Sequence, residues 1–394
     1  MISFDFEKNC YGCRNCENIC PTKAIKMEKN NEGFLIPIIN EKKCIKCNLC
    51  NRKCPFLNIK EINKDMKLNK WYSCYMKDEK KRQESSSGGI FPLLADLFVQ
   101  NNGYVCGCIW NNKIEAVHVI TNQRDDINKM KGSKYVQSDL NNIVEEIKDL
   151  LHEEKKILFT GTPCQVAAIK TYFSNPKNLY TMAVICEGVS SPKVWEKYKD
   201  YEEKVNNSKI KDVKFRCKDI GWEPPIMKIF FENGKVKSQL TYSSNIFGQG
   251  FLQGLFFRNS CNNCQYKLEN YNADIIVGDL WGVSKDLLKA TNNKGISAVY
   301  INSVKGLEMF KQINEKIEFQ LIDSEKVIKA NKMITNSILK NKRRARFFEY
   351  TEKLNVKTNI KKNLDIKKTK KIKNFIKEIA YKTKTYNLIK NIVK

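Results

Sequence analysis

Two stretches of the chain share one cysteine rhythm: Cys10, Cys13, Cys16 and Cys20 before Pro21, and Cys44, Cys47, Cys50 and Cys54 before Pro55. Each reads Cys-x2-Cys-x2-Cys-x3-Cys-Pro, and the second follows the first by 34 residues. Three thiolates at this spacing wrap one corner of a cubane, whereas the fourth, followed by proline, points away to a neighbouring cluster. The pattern therefore predicts one [4Fe–4S] cluster on Cys10, Cys13, Cys16 and Cys54, and a second on Cys44, Cys47, Cys50 and Cys20. A zinc ribbon is the competing reading. It needs four thiolates for one ion and leaves four further ordered cysteines idle.

This is the cysteine run of bacterial two-cluster ferredoxins. Such a unit moves single electrons, so something else must stand at the end of the wire. The chain has 394 residues and 16 cysteines but only two histidines, His118 and His152, which argues against zinc sites built on imidazole. The first ten residues lack an apolar signal region, and no stretch approaches the roughly 18 apolar residues of a membrane span. The expected compartment is the cytoplasm, where so many cysteines are ligands, nucleophiles or packing residues and not a disulfide framework. The formal charge is +27, and Lys340 to Lys394 alone carries 19 Lys/Arg against four Asp/Glu.

Residues 1–58 form the cysteine-dense unit, 59–70 a charged linker, 71–338 a larger domain and 339–394 a basic helical tail. Within the larger domain strands are expected at Trp71 to Met76, Tyr104 to Trp110, Ile114 to Ile120, Lys156 to Thr160 and Thr181 to Cys186. Others follow at Asp212 to Phe215, Met227 to Glu232, Lys235 to Thr241, Asp274 to Val277 and Ser297 to Ile301, with helices at Gly89 to Gln100 and Cys164 to Phe173. Asn233-Gly234 marks a hairpin. The fold class is α+β / α/β: a small two-cluster ferredoxin-like domain, one larger mixed sheet, and the tail. In the tail Ile372, Phe375, Ile376 and Ile379 recur at helical spacing among lysines, the pattern of a basic amphipathic helix. Docking on the body is its plain reading, and peripheral contact with the inner face of an anionic membrane is the alternative. No base-reading motif accompanies the charge, so nucleic acid is not an expected partner.

Four segments place glycine with hydroxyl or amide groups at loops or helix starts, where backbone N–H groups cradle phosphate. They are Ser85 to Gly89, Gly132 to Ser138, Gly161 to Gln165 and Gly278 to Gly282. Taken in order with the segment starting at Cys186, Phe215-Arg216 ahead of Gly221-Trp222, and RNSCNNC from Arg258, they resemble the β subunit of coenzyme F420-reducing hydrogenase and its dehydrogenase relatives. The resemblance runs from residue 1 to about 300 and implies a larger domain that binds FAD, which converts a two-electron hydride into single electrons for the clusters. No GxGxxG turn is present. The implied cofactor contacts are Ser86, Ser87, Gly88, Gly89, Lys134, Tyr135, Gln137, Ser138 and Thr162, with Lys134 either pairing with pyrophosphate or solvated.

The family pattern also implies a third [4Fe–4S] cluster on Cys164, Cys186, Cys261 and Cys264, between flavin and ferredoxin unit. Two departures stand out. Glu187 replaces the histidine that usually follows the position of Cys186, and Cys217 follows Arg216 as an alternative ligand or an inert thiol. Cys74, Cys106 and Cys108 read as packing residues. The expected function is an iron–sulfur flavoprotein oxidoreductase working with a redox carrier (coenzyme F420, ferredoxin or nicotinamide) or a partner reductase. Relatives with this domain order also stand beside bacterial glycan-assembly enzymes, which makes polysaccharide biosynthesis one implied setting. A non-catalytic electron-transfer subunit docking a partner reductase is the alternative.

Overall fold

The computed structural model describes residues 2–59, 68–282 and 291–389; most of the expected linker lies outside them. Thirteen strands are present among these residues: β1 (Ile25–Lys29), β2 (Leu35–Ile39), β3 (Lys70–Met76), β4 (Tyr104–Trp110), β5 (Ala116–Thr121), β6 (Ile157–Gly161), β7 (Leu179–Val184), β8 (Ile210–Cys217), β9 (Ile226–Phe231), β10 (Val236–Leu240), β11 (Ile275–Asp279), β12 (Ser297–Ile301) and β13 (Ile317–Leu321).

The N-terminal unit is the β1–β2 antiparallel hairpin with three single-turn helices, Phe6–Asn9, Asn15–Asn18 and Leu49–Arg52. The sequence repeat is also a backbone repeat. Gly12 and Lys46 stand at φ 69° and 55°, and Arg14 and Asn48 at φ 63° and 65°, each pair one period apart. Those left-handed residues turn the chain sharply enough to bring successive cysteines around one point.

Eight strands form a mixed sheet in the order β13-β3-β12-β11-β7-β6-β4-β5. Its centre, β11-β7-β6-β4, is parallel, and the remaining strands are antiparallel. Side chains alternate between two cores, as the strand period requires. Ile157 and Phe159 of β6 join Ile147, Val166 and Ile169 on one face, and Leu158 joins Leu94, Phe98 and Phe310 on the other. Helix Pro163–Phe173 makes the β6-to-β7 crossover. It starts cleanly because Thr162 and Gln165 form a capping box and Pro163 stands where no N–H is needed.

The single larger sheet expected from sequence is in fact two. β8, β9 and β10 form a separate antiparallel sheet, because their apolar face meets an aromatic core of its own, built on Trp195, Phe215, Phe247 and Phe256. The basic segment after 339 also divides. Phe347, Val356 and Ile360 belong to that aromatic core. Arg344 donates to both carboxylate oxygens of Glu32, in the loop between β1 and β2, at 2.8 and 2.5 Å, and to the Phe257 carbonyl at 2.8 Å.

The Arg344 and Glu32 side chains are 4% and 20% exposed, so removing one partner strands the other away from water. Arg344→Met is expected to lower unfolding stability by about 3 kcal/mol, read by chemical denaturation. A loss below about 1 kcal/mol, the size of a solvated pair, would refute the strap.

Candidate functional site

The parallel strands β4, β6, β7 and β11 end together, and in open α/β sheets ligand crevices form at such carboxyl ends. Here the loops that leave them enclose a cavity of about 310 Å³. Cys108 of β4, Thr160 to Thr162 after β6, Val184 to Val189 after β7 and Val277 to Asp279 of β11 all line it. The Ser85 to Gly89 loop and Lys131 to Val136 close the other side.

Of the expected cofactor contacts, Ser86, Ser87, Gly89, Lys134, Tyr135, Ser138 and Thr162 line this cavity. Gly89 takes φ 89° as it opens helix Ile90–Gln100, a conformation that favours glycine. Two expected contacts do not line it. Gly88 is pressed against the neighbouring strands, where a Cβ would stand 2.4 Å from the Cys74 carbonyl oxygen. Gln137 instead joins the two units, donating to the Tyr11 carbonyl at 2.9 Å and accepting from Arg258 at 3.0 Å. Lys134 is neither solvated nor free for phosphate. Its ammonium donates to the carbonyls of Lys129, Met130, Lys131 and Gly132 at 2.7 to 3.3 Å, closing the end of helix Arg124–Met130. Burial brings its pKa down to about 8.

Arg216 and His118 also line the cavity, and neither was among the expected contacts. Arg216, on β8, donates through Nη1 to Asp279 at the end of β11, while among the described residues its buried Nε and Nη2 have no hydrogen-bond partner. Asp279 also accepts from Trp222 Nε1 at 2.9 Å, and Trp222 stacks on Trp281 with ring centres 5.2 Å apart. His118, opposite Cys108 in the β4–β5 register, is 3% exposed. Its Nε2 lies 3.0 Å from the Thr160 carbonyl, an acceptor only, so Nε2 carries the hydrogen and Nδ1 is left with an open lone pair. Among the described residues that Nδ1 has no hydrogen-bond partner. Burial pushes the His118 pKa down to about 4. Cys108, expected in the packing, is half-buried on the cavity wall.

Beside this cavity lie three small ones, each lined by four cysteines. Cys164, Cys186, Cys261 and Cys264 line the first, Cys10, Cys13, Cys16 and Cys54 the second, and Cys20, Cys44, Cys47 and Cys50 the third. These are the three groupings expected from spacing and resemblance. Among the described residues no three His, Cys, Asp or Glu side chains stand close enough to hold a single metal ion; the thiols surround a space. Burial, and after it the charges of Cys264 and Cys164, pushes the Cys261 thiol up to about 12. Burial leads again at Cys54, which stands at about 11. Cys217 lies apart, packed near Ile226 and Leu240.

The cavities adjoin in sequence. Cys186 and Glu187 line both the large cavity and the Cys164 cage, and Tyr11 lines both the Cys164 and Cys10 cages. Arg258 ties the last two together, donating to the Cys10 and Leu35 carbonyls at 2.6 and 2.7 Å. Burial, and after it the negative charge of Asp279, holds the Glu187 carboxyl above its usual range against the opposing pull of Arg216 and Lys267.

Residues 154–326 match the family model for the C terminus of the coenzyme F420 hydrogenase/dehydrogenase beta subunit, and residues 9–58 match the 4Fe-4S dicluster domain. A chain of the F420-reducing [NiFe] hydrogenase complex from Methanosarcina barkeri is similar at 16% identity and a TM-score of 0.45, over 76% of this chain and 91% of that one. No curated protein matches. The chain thus carries the C-terminal region of the coenzyme F420 hydrogenase/dehydrogenase beta-subunit family over residues 154–326, behind a 4Fe-4S dicluster domain over residues 9–58.

Proposed function

We propose that the chain is an iron–sulfur flavoprotein oxidoreductase that passes electrons between a two-electron carrier at the large cavity and a one-electron partner at the ferredoxin unit. Coenzyme F420 and nicotinamide are the candidate two-electron carriers, and ferredoxin is the candidate one-electron partner. The observation that carries the reading is the order of the cavities. A large pocket shares Cys186 with one four-cysteine cage, which shares Tyr11 with the next.

The residues fit the groups they would hold. Four thiols around each small cavity match the donor set of a cubane. Cys10 Sγ accepts from the Gly12 amide at 3.3 Å and Cys20 Sγ from the Ala24 amide at 3.2 Å, contacts of the kind that tune a cluster's potential. In the large cavity the unpartnered Nε and Nη2 of Arg216 and Nδ1 of His118 are a donor pair and an acceptor. Buried polar atoms with no partner are rare in folded proteins, and a flat heteroaromatic ligand with both kinds of edge would satisfy them. When bound, a flavin supplies the exchange between hydride and single electrons. The protein's own part is to orient that ligand through Arg216 and the Ser86 and Ser87 loop, and to exclude water with Trp281, Tyr135 and Phe251, which also line the pocket.

Anaerobically reconstituted protein is expected to hold about twelve irons per chain, falling to about eight in Cys186→Ser; about eight in the parent chain would sink the third cluster. The chain is expected to bind FAD, with Arg216→Gln weakening affinity by roughly tenfold to a hundredfold at unchanged iron content. A reconstituted chain that takes up no flavin would instead favour the non-catalytic electron-transfer subunit. Finally, with ring nitrogens labelled, His118 should stay neutral down to about pH 4. The sign follows from burial, which disfavours the charged ring. A His118 signal that titrates near pH 6.5, the usual value, would overturn the assignment of Nδ1 as a standing acceptor.

A further inference from the structure

Helix Lys368–Lys382 has two different apolar sides. On one, Ala380 is buried with Tyr386 against Ile226 and Leu240 of the small sheet, and Tyr381 packs beside them. On the other, Ile372, Phe375, Ile376 and Ile379 remain 61%, 66%, 41% and 46% exposed. At about 100° per residue these four side chains share an arc of roughly 100°, turned away from Tyr381. The stripe is thus not the face by which the helix docks. A contiguous apolar surface on an otherwise solvated helix marks an interaction site.

The flanks of the stripe decide what it meets. Lys371 and Lys382 flank it on one side and Lys373 on the other, and Lys368 stands at its N-terminal end. Lys370 and Lys377 lie further round the helix, and Glu378, the one acid in the helix, pairs with Lys382 at 3.3 Å. Burial, and after it the charges of Lys373 and Lys370, hold the Lys377 ammonium below its usual range. The helix therefore adds cations to a field already crowded with them. A second copy of the chain would bring the same lysines to the contact, with like charges opposed. An anionic bilayer offers the complementary combination: acyl chains for the stripe, and headgroups for long lysine stems that lie along an apolar surface with their charges outward.

We propose that Lys368–Lys382 is an interfacial anchor that lies in the headgroup layer of an anionic membrane, its Ile372–Phe375–Ile376–Ile379 stripe facing the acyl chains. The body is then held at the bilayer by the side that carries the small sheet. Among the described residues no helix is long and apolar enough to cross a membrane, and the contact is peripheral. Neither flavin nor cluster content enters the argument, so it stands apart from the electron-transfer reading.

Flotation of the full reconstituted chain with phosphatidylcholine vesicles, with and without phosphatidylglycerol, tests this. The parent chain is expected to float with the anionic vesicles and to stay behind with the neutral ones. Ile372→Ser, Phe375→Ser, Ile376→Ser and Ile379→Ser combined should lower partitioning at least about tenfold, with iron content and sedimentation unchanged. Lys370→Glu, Lys371→Glu and Lys373→Glu combined should abolish the preference for anionic lipid. The anchor is overturned if the parent chain ignores anionic vesicles, or if the serine variant floats equally well. It is also overturned if that variant converts a dimer to a monomer, which would give the stripe to a second copy.

Discussion

The buried guanidinium of Arg258 is the contact on which the rest of the arrangement depends. It stands 3% exposed and spends its three donor groups on the Cys10 carbonyl, the Leu35 carbonyl and Gln137. A planar fork with fixed donors locks both distance and angle between the units it joins. Gly12 approaches so closely that a Cβ there would stand 2.8 Å from Nη1. Around this pin Arg14 pairs with Asp139, and Arg344 pairs with Glu32. Three arginines from different parts of the chain thus hold a unit too small to bury much core of its own. The consequence for function is a fixed spacing between the Cys10 and Cys164 cages, with Tyr11 and Tyr266 packed between them at a ring separation of 5.5 Å.

The large cavity owes its existence to a different constraint. Parallel strands buried on both faces end at the same level, and the loops that leave them have nowhere to go but around a shared crevice. The β6 loop turns at once into a capped helix that carries Cys164, whereas the β7 loop passes through Cys186 and Glu187 without regular structure. One sheet edge thereby supplies a wall of the pocket and two corners of the neighbouring cage. The small sheet closes the far side by sending Arg216 across to Asp279, a pairing between residues 63 positions apart.

Much of this was legible in the chain, and the exceptions have physical causes. Ser297–Ile301 could be read to the residue because β12 is buried at every position, an uninterrupted apolar run. The edge strand β13 was not read, since only Ile317 of its five residues is buried and no period stands out. Spacing alone grouped the N-terminal cysteines, because their geometry is local. Gly88 and Gln137 were misplaced because a loop motif says nothing about which of its members turn toward the sheet or toward another unit. Arg216 and His118 were missed as site residues because their role lies in what they lack, two N–H groups and a lone pair without partners. Such a vacancy exists only once the walls are assembled.

The unequal burial of the two ferredoxin cages has one more implication. Cys10, Cys16 and Cys54 are buried, whereas Cys47 is exposed and Cys20 and Cys44 are half-covered. A cluster in the outer cage would be the first to meet dissolved oxygen, ahead of anything deeper in the protein. Under the proposed electron path, its loss would cut off a one-electron partner while leaving the inner cages and the large cavity whole, in the manner of a fuse placed at the terminal.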